Sequence, residues 1–135
     1  MDALRWLSHE DGRRVAWEDV GPRDGAPVLF FHGTPGSRLQ RQVFMSEQQI
    51  SAAGLRMITI DRPGCGHSDP LPCRLIEDVA ADVSAVIERL RLNRVALLAF
   101  SGGTPYAIAA ASAVPARCLC IVSGDAPAYR VPGVP

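Results

Sequence analysis

Apolar residues along this chain fall into short dense blocks, each closed by glycine, proline or a charged turn. Residues 4–9 and 14–20 read as two short strands around Glu10-Asp11-Gly12-Arg13, because Asp-Gly between such runs is a hairpin signal. Gly21-Pro22-Arg23-Asp24-Gly25-Ala26-Pro27 reads as a loop. Val28-Leu29-Phe30-Phe31 is an unbroken apolar run bounded by turn residues, the signature of a strand buried on both faces of a parallel sheet. Val43, Phe44 and Ile50 predict a moderately amphipathic helix over residues 39–53, with Gly54 as its terminating glycine. Leu55-Arg56-Met57-Ile58-Thr59-Ile60 is the next strand.

The recurrence of Leu75, Val79, Val83, Val86, Ile87 and Leu90 predicts a helix from about 75 to 92. Glu77 and Asp78 fall in its first turn and Arg89 and Arg91 in its last, which suits the helix dipole. Residues 94–100 form a third buried strand, Ser101-Gly102-Gly103 a sharp turn, and Thr104-Pro105 opens a small-residue helix to about Ala113. Cys118-Leu119-Cys120-Ile121-Val122-Ser123 reads as a fourth core strand, and Gly124 to Pro135 as a proline-bearing tail without periodicity. A hairpin followed by alternating strands and helices predicts an α/β fold. It is an open, mostly parallel sheet with helices on both faces and an antiparallel N-terminal hairpin. Ligands of such sheets bind beyond the carboxyl ends of the strands, so the loops at 32–37, 61–70 and 101–104 are expected at one edge.

Composition narrows the function classes. With 135 residues, 47% hydrophobic and 21% charged, the chain suits one ordinary domain with a real core. Its 14 basic residues, all Arg, balance 14 acidic ones. That balance removes the footprint of a nucleic-acid binder and the polybasic anchor of a membrane-surface protein. Asp2, Arg5, His9 and Glu10 leave no signal-peptide core, and no apolar run approaches the roughly 18 residues of a membrane span. A cytoplasmic protein is expected. Cys65, Cys73, Cys118 and Cys120 lack CxxC spacing and are expected as reduced, buried or half-buried thiols, with no metal site.

The chemistry gathers at Ala99-Phe100-Ser101-Gly102-Gly103. Small residues two before and two after a serine let the backbone turn tightly from strand into helix and expose the hydroxyl at the sheet edge. The Gly102 N–H then points with the helix N-terminus toward the space where an oxyanion would form. A second donor is expected from His32-Gly33-Thr34-Pro35-Gly36, where a cis Thr34–Pro35 peptide would aim the Thr34 N–H and the trans form is the ordinary one. Gly64 and Gly66 fit neither a P-loop nor a GxGxxG fingerprint.

Three motifs stand in order: His32-Gly33-Thr34-Pro35-Gly36, Asp61-Arg62-Pro63-Gly64-Cys65-Gly66-His67-Ser68 and Ala99-Phe100-Ser101-Gly102-Gly103. Together they resemble the N-terminal half of an α/β-hydrolase-fold serine hydrolase, in its esterase and proline-iminopeptidase-like branch. The resemblance covers essentially the whole chain. It implies Ser101 as nucleophile, the N–H groups of Thr34 and Gly102 as oxyanion hole, and His32 and Gly33 as supporting residues. The implied reaction is acyl transfer from a small ester or amide to water through a Ser101 acyl-enzyme, without metal or organic cofactor. Ala99 stands where the family usually has Gly, and alanine is small enough for the turn.

In that family the acid and then the histidine follow the serine in the chain, and without the histidine the hydroxyl is a poor nucleophile. No histidine follows Ser101. The resemblance therefore implies that residues 1–135 are the N-terminal part of the domain, truncated after about the sixth strand, with the cap and last two strands missing. Asp125 is a candidate relocated acid, and Ser-Gly-Asp-Ala-Pro also reads as an ordinary Asx turn. His67 lies at the right sheet edge but reads as a solvated loop residue, and His9 lies in the hairpin, far from the serine. Two alternatives stand beside an active hydrolase. One is a catalytically inactive truncated product. The other is a half-domain that receives its acid and histidine from a second chain, or self-associates, along an exposed apolar edge at 118–122.

Overall fold

A computed structural model describes residues 4–125, so the tail predicted beyond Asp125 lies outside the described residues. Strands β1 (Leu4–Ser8) and β2 (Arg14–Val20) pair antiparallel around the predicted Asp-Gly turn. Then come β3 (Ala26–Phe31), α1 (Arg41–Phe44), α2 (Glu47–Ala52), β4 (Leu55–Ile60), α3 (Ile76–Arg89), β5 (Val95–Phe100), α4 (Thr104–Ala111) and β6 (Ala116–Val122). The six strands form one sheet in the order β1-β2-β4-β3-β5-β6. β2 meets β4 antiparallel, and β4, β3, β5 and β6 run parallel. This is the predicted mixed sheet, with the parallel strands joined by helices that pack on its faces.

Side-chain alternation along the strands divides the core in two. Leu29 and Phe31 of β3, Ile58 and Ile60 of β4, and Leu97 and Ala99 of β5 pack against Val79, Val83 and Val86 of α3 and Ala107 of α4. On the other face Val20, Phe30 and Met57 enclose Ile50 of α2. The α3 stripe predicted from apolar spacing is thus the buried one, in a helix that ends two or three residues early, with Arg91 at φ +52 outside it. Asp78 accepts the Leu75 N–H at 2.7 Å and caps the helix start. The N-terminal hairpin is clasped to α3 by Asp82, which lies 2.8 Å from His9 Nε2 and accepts two hydrogen bonds from Arg13, at 2.6 and 3.0 Å.

Two expectations fail. The helix predicted over 39–53 is broken: a 3-10 turn at Arg38–Gln40 leads into α1, and the extended Met45 and Ser46 separate α1 from α2. Ser46 caps α2, accepting the Gln49 N–H at 3.2 Å while Gln49 Oε1 accepts the Ser46 N–H at 2.9 Å. The strand at 118–123 is not a core strand. Among the described residues β6 pairs only with β5, and its residues are exposed except for the half-buried Leu119, so Cys118 and Cys120 are exposed rather than buried. Nothing among the described residues packs over its outer side. Cys73 is exposed as well, and Cys65 is half-buried. No helix among the described residues is long and apolar enough to cross a membrane.

Candidate active site

β3, β4 and β5 end level with one another. Phe30 pairs with Thr59 on one side and with Leu98 on the other, and Phe31 pairs with Ala99. The residues that follow these strands therefore open three neighbouring loops at the carboxyl edge of the sheet, where open α/β sheets bind their ligands. Ser101 sits at the tip of the loop after β5, next to the loop after β3. Its φ is +48, in the left-handed region that a serine occupies only at a cost. Its carbonyl accepts the Thr104 hydroxyl at 2.8 Å, which closes the turn as α4 begins. The side chain is half-buried, and its hydroxyl has no hydrogen-bond partner among the described residues.

Packing explains the small residues around it. Ala99 is fully buried against α3 and α4. A Cβ on Gly103 would lie 2.4 Å from the Phe31 carbonyl oxygen and 2.8 Å from that of His32, so the helix start can approach β3 only if this residue is glycine. A Cβ on Gly102 would lie 2.8 Å from Thr34 Oγ1 and 3.4 Å from the Thr34 nitrogen, and one on Gly33 would lie 3.3 Å from Ser101 Cβ. The 32–36 loop thus lies directly against the serine turn. Its Thr34–Pro35 peptide is cis, the form that aims the Thr34 N–H, and not the more common trans form. Among the described residues the Thr34 N–H has no acceptor, and Gly102 belongs to the first turn of a helix, where N–H groups lack intrahelical partners.

Three side chains hold the loop, and two of them were not singled out by sequence reasoning. Gln40 Oε1 accepts the Gly33 N–H at 2.5 Å. Arg62, almost wholly buried, donates to the carbonyls of His32 and Gly33 and to Thr34 Oγ1, the latter two at 3.0 Å. Its guanidinium lies 4.6 Å over the Tyr106 ring of α4. Burial draws the Arg62 pKa below its ordinary value. His32 is the third. Its Nδ1 lies 2.9 Å from the Gly33 carbonyl, and its Nε2 accepts the Arg62 N–H at 3.4 Å. Both contacts fit the neutral ring with the proton on Nδ1. Burial first, and then the Arg62 charge, hold the pKa of His32 down to about 4.

The other histidines are committed elsewhere. His9 faces Asp82 across the hairpin clasp. His67 is exposed, stacked on Trp6 with ring centroids 6.5 Å apart, and its Nδ1 lies 3.4 Å from an Arg38 nitrogen. The Ser101 hydroxyl hydrogen-bonds to none of the three. Asp61 is buried and serves its own loop, accepting the Arg38 N–H and guanidinium, both at 2.6 Å, and the His67 N–H at 2.9 Å. Asp125 lies just beyond Gly124, where an added Cβ would lie 3.0 Å from Thr104 Oγ1. Its carboxylate is exposed and makes no hydrogen bond or ion pair among the described residues. Among those residues no three His, Cys, Asp or Glu side chains could hold a metal ion. The structure therefore brings Ser101, Gly102, Gly33, Thr34 and His32 together, and among the described residues it gives Ser101 no acid or base partner.

Comparison with known proteins agrees with this architecture. The α/β hydrolase fold family matches residues 26–132. The chain is 30% identical over 115 residues to a proline iminopeptidase of Neisseria gonorrhoeae, covering 83% of this chain and 36% of that protein. It is 39% identical over 117 residues to a non-heme chloroperoxidase of Streptomyces lividans, covering 82% of this chain and 40% of that protein. The crystal structure of an esterase from Exiguobacterium antarcticum superposes with a TM-score of 0.75 at 28% identity, over 96% of this chain and 49% of that one. The chain thus spans less than half the length of these relatives. Sheet order, strand-end loops and family match agree: the chain belongs to the α/β hydrolase fold family.

Proposed function

We propose that this chain carries the nucleophile and the oxyanion-binding groups of a serine hydrolase acting on a small ester or amide. The observation that supports this most is the seating of the Thr34 loop against the turn at Ser101, with the free Thr34 N–H beside Gly102. In this reading Ser101 Oγ adds to the substrate carbonyl carbon and its proton passes to a base. The oxyanion accepts hydrogen bonds from the N–H groups of Thr34 and Gly102, each worth roughly 100- to 1000-fold in kcat. The tetrahedral intermediate collapses, the proton goes to the leaving alcohol or amine, and water cleaves the Ser101 ester in the same way. The iminopeptidase and esterase among the relatives fit this reaction class. Four free cysteines suit a reducing, cytoplasmic setting.

The histidines favour a second reading, in which the acid and base come from a second chain. His9, His32 and His67 each have other partners, and none hydrogen-bonds to Ser101. Among the described residues the outer edge of β6 pairs with no strand, and such a chain could add along it.

Hydrolysis of p-nitrophenyl acetate by the 135-residue chain, with Ser101→Ala beside it, separates the readings. Turnover that Ser101→Ala lowers about 100-fold or more supports the first. Equal turnover by both proteins overturns Ser101 as nucleophile. A folded but inert chain moves the conclusion to the second reading, where co-expression with a segment bearing the acid and histidine must restore turnover. Failure there leaves an inactive product.

A further inference from the structure

We infer that Arg62 is a positioning residue of the Ser101 site, setting the spacing between the Thr34 and Gly102 N–H groups; this rests on the reading of those groups as the oxyanion site. Its contacts close a ring around that pair. One guanidinium nitrogen donates to Thr34 Oγ1 at 3.0 Å, and that same Oγ1 is the atom nearest to where a Cβ on Gly102 would lie. Arg62 thus fixes the Thr34 side chain that the Gly102 backbone rests on. From its other side the guanidinium lies against Tyr106, one turn into the helix that begins at the serine turn. Donation to the His32 and Gly33 carbonyls holds the start of the loop as well. One planar cation therefore links the 32–34 loop to α4 without passing through Ser101.

Its electrostatics argue for geometry over stability. Arg62 is 4% exposed, yet no carboxylate lies within salt-bridge distance of it among the described residues. Arg38 takes Asp61, the adjacent carboxylate. A buried guanidinium served by carbonyls, a hydroxyl and a ring bears a desolvation cost that an apolar side chain would avoid. What the apolar side chain could not do is donate in three directions within one plane. Lysine could not do so either, since its ammonium is a compact charge without the fork or the stacking face. Arg74 lies on the same ring at 6.0 Å and donates to the Pro63 carbonyl, so the Tyr106 platform is itself held in place.

The test is nuclear magnetic resonance on the ¹⁵N-labelled 135-residue chain, comparing wild type with Arg62→Lys, Arg62→Met and Tyr106→Leu. Order parameters at Gly33, Thr34 and Gly102 are expected to fall from the rigid range near 0.85 toward about 0.6 in both Arg62 variants. Tyr106→Leu should cause a smaller fall, while amides of β3 and β5 keep wild-type exchange rates. Guanidinium ion added to Arg62→Met should restore the Thr34 and Gly102 shifts, which a merely structural loss would not allow. Unchanged order parameters at Thr34 and Gly102 in a folded Arg62 variant overturn the proposal. If both Arg62 variants unfold, Tyr106→Leu decides it alone, and wild-type values at Thr34 would then overturn it. Where the chain shows Ser101-dependent turnover, Arg62→Lys should lower kcat about tenfold with KM within about twofold. A loosened loop in a chain whose turnover Ser101→Ala leaves unchanged refutes the catalytic reading and leaves the role of Arg62 in the loop standing.

Discussion

His32 illustrates how a single buried ring ties stability to pH. Its pKa is about 4 in the folded chain against an ordinary 6.5. Between those values the unfolded chain binds a proton that the folded one does not, so stability rises with pH across that window. On acidification the loss begins near pH 6.5, proceeds toward pH 4 and levels off below it, amounting to about 3 kcal/mol. Urea denaturation at intervals from pH 7.5 to 4 should show this slope, and His32→Gln should flatten it. A wild-type slope that survives in His32→Gln would assign the acid sensitivity to other groups. Ser101 and Gly102 could be singled out in the sequence because they belong to a short local pattern at a strand end, and Thr34 because its loop resembles that of a known family. Arg62 and Gln40 could not, since what distinguishes them is partners that only the sheet brings near. Arg62 meets His32 and Thr34 across 30 and 28 positions of chain.

Elements were read well where a period persisted and poorly where it was short. The α3 stripe spans 14 residues and faces the sheet as its spacing requires. The segment over 39–53 holds too few apolar positions to show that it is two helices, and Ser46 to Gln49 is the signal that separates them. The break has a use: it lets α1 and the turn before it bring Arg38 and Gln40 to the site loops, while α2 buries Ile50 under β4. Ser46→Ala removes the acceptor for the Gln49 N–H, and should cost about 1 kcal/mol. Circular dichroism with urea titration measures it. Because Gln40 and Arg38 lie before the break, the Gly33 amide shift should stay unchanged. A moved Gly33 resonance would mean that α1 and α2 act as one unit after all.

For the whole molecule the open question of the sequence was the last strand. Residues 118–122 have the composition of a core strand, and local pattern cannot tell a strand with one neighbour from a strand with two. The fold decides it by leaving β6 at the end of the sheet order, with Ile121 and Val122 about half exposed. Beside it, a cavity of about 170 Å³ lined by Phe30, Phe44, Met57, Leu98, Phe100 and Val122 opens between α1 and β6. An apolar edge with an unpaired backbone is a template for strand addition; among the described residues no strand pairs along this one, and its last four residues carry none of the charged side chains that blunt such edges. The chain alone should therefore associate with itself as its concentration rises, through β6. Sedimentation velocity under reducing conditions, which keep Cys118 and Cys120 from cross-linking, should show this across the micromolar range. Ile121→Lys places a charge on the edge without touching the buried core, so it should shift the distribution toward monomer while leaving the melting temperature unchanged. If Ile121→Lys associates as strongly as the wild type, the contact lies elsewhere. The apolar cavity beside Phe44 is then the surface to test next, by Phe44→Glu in the same experiment.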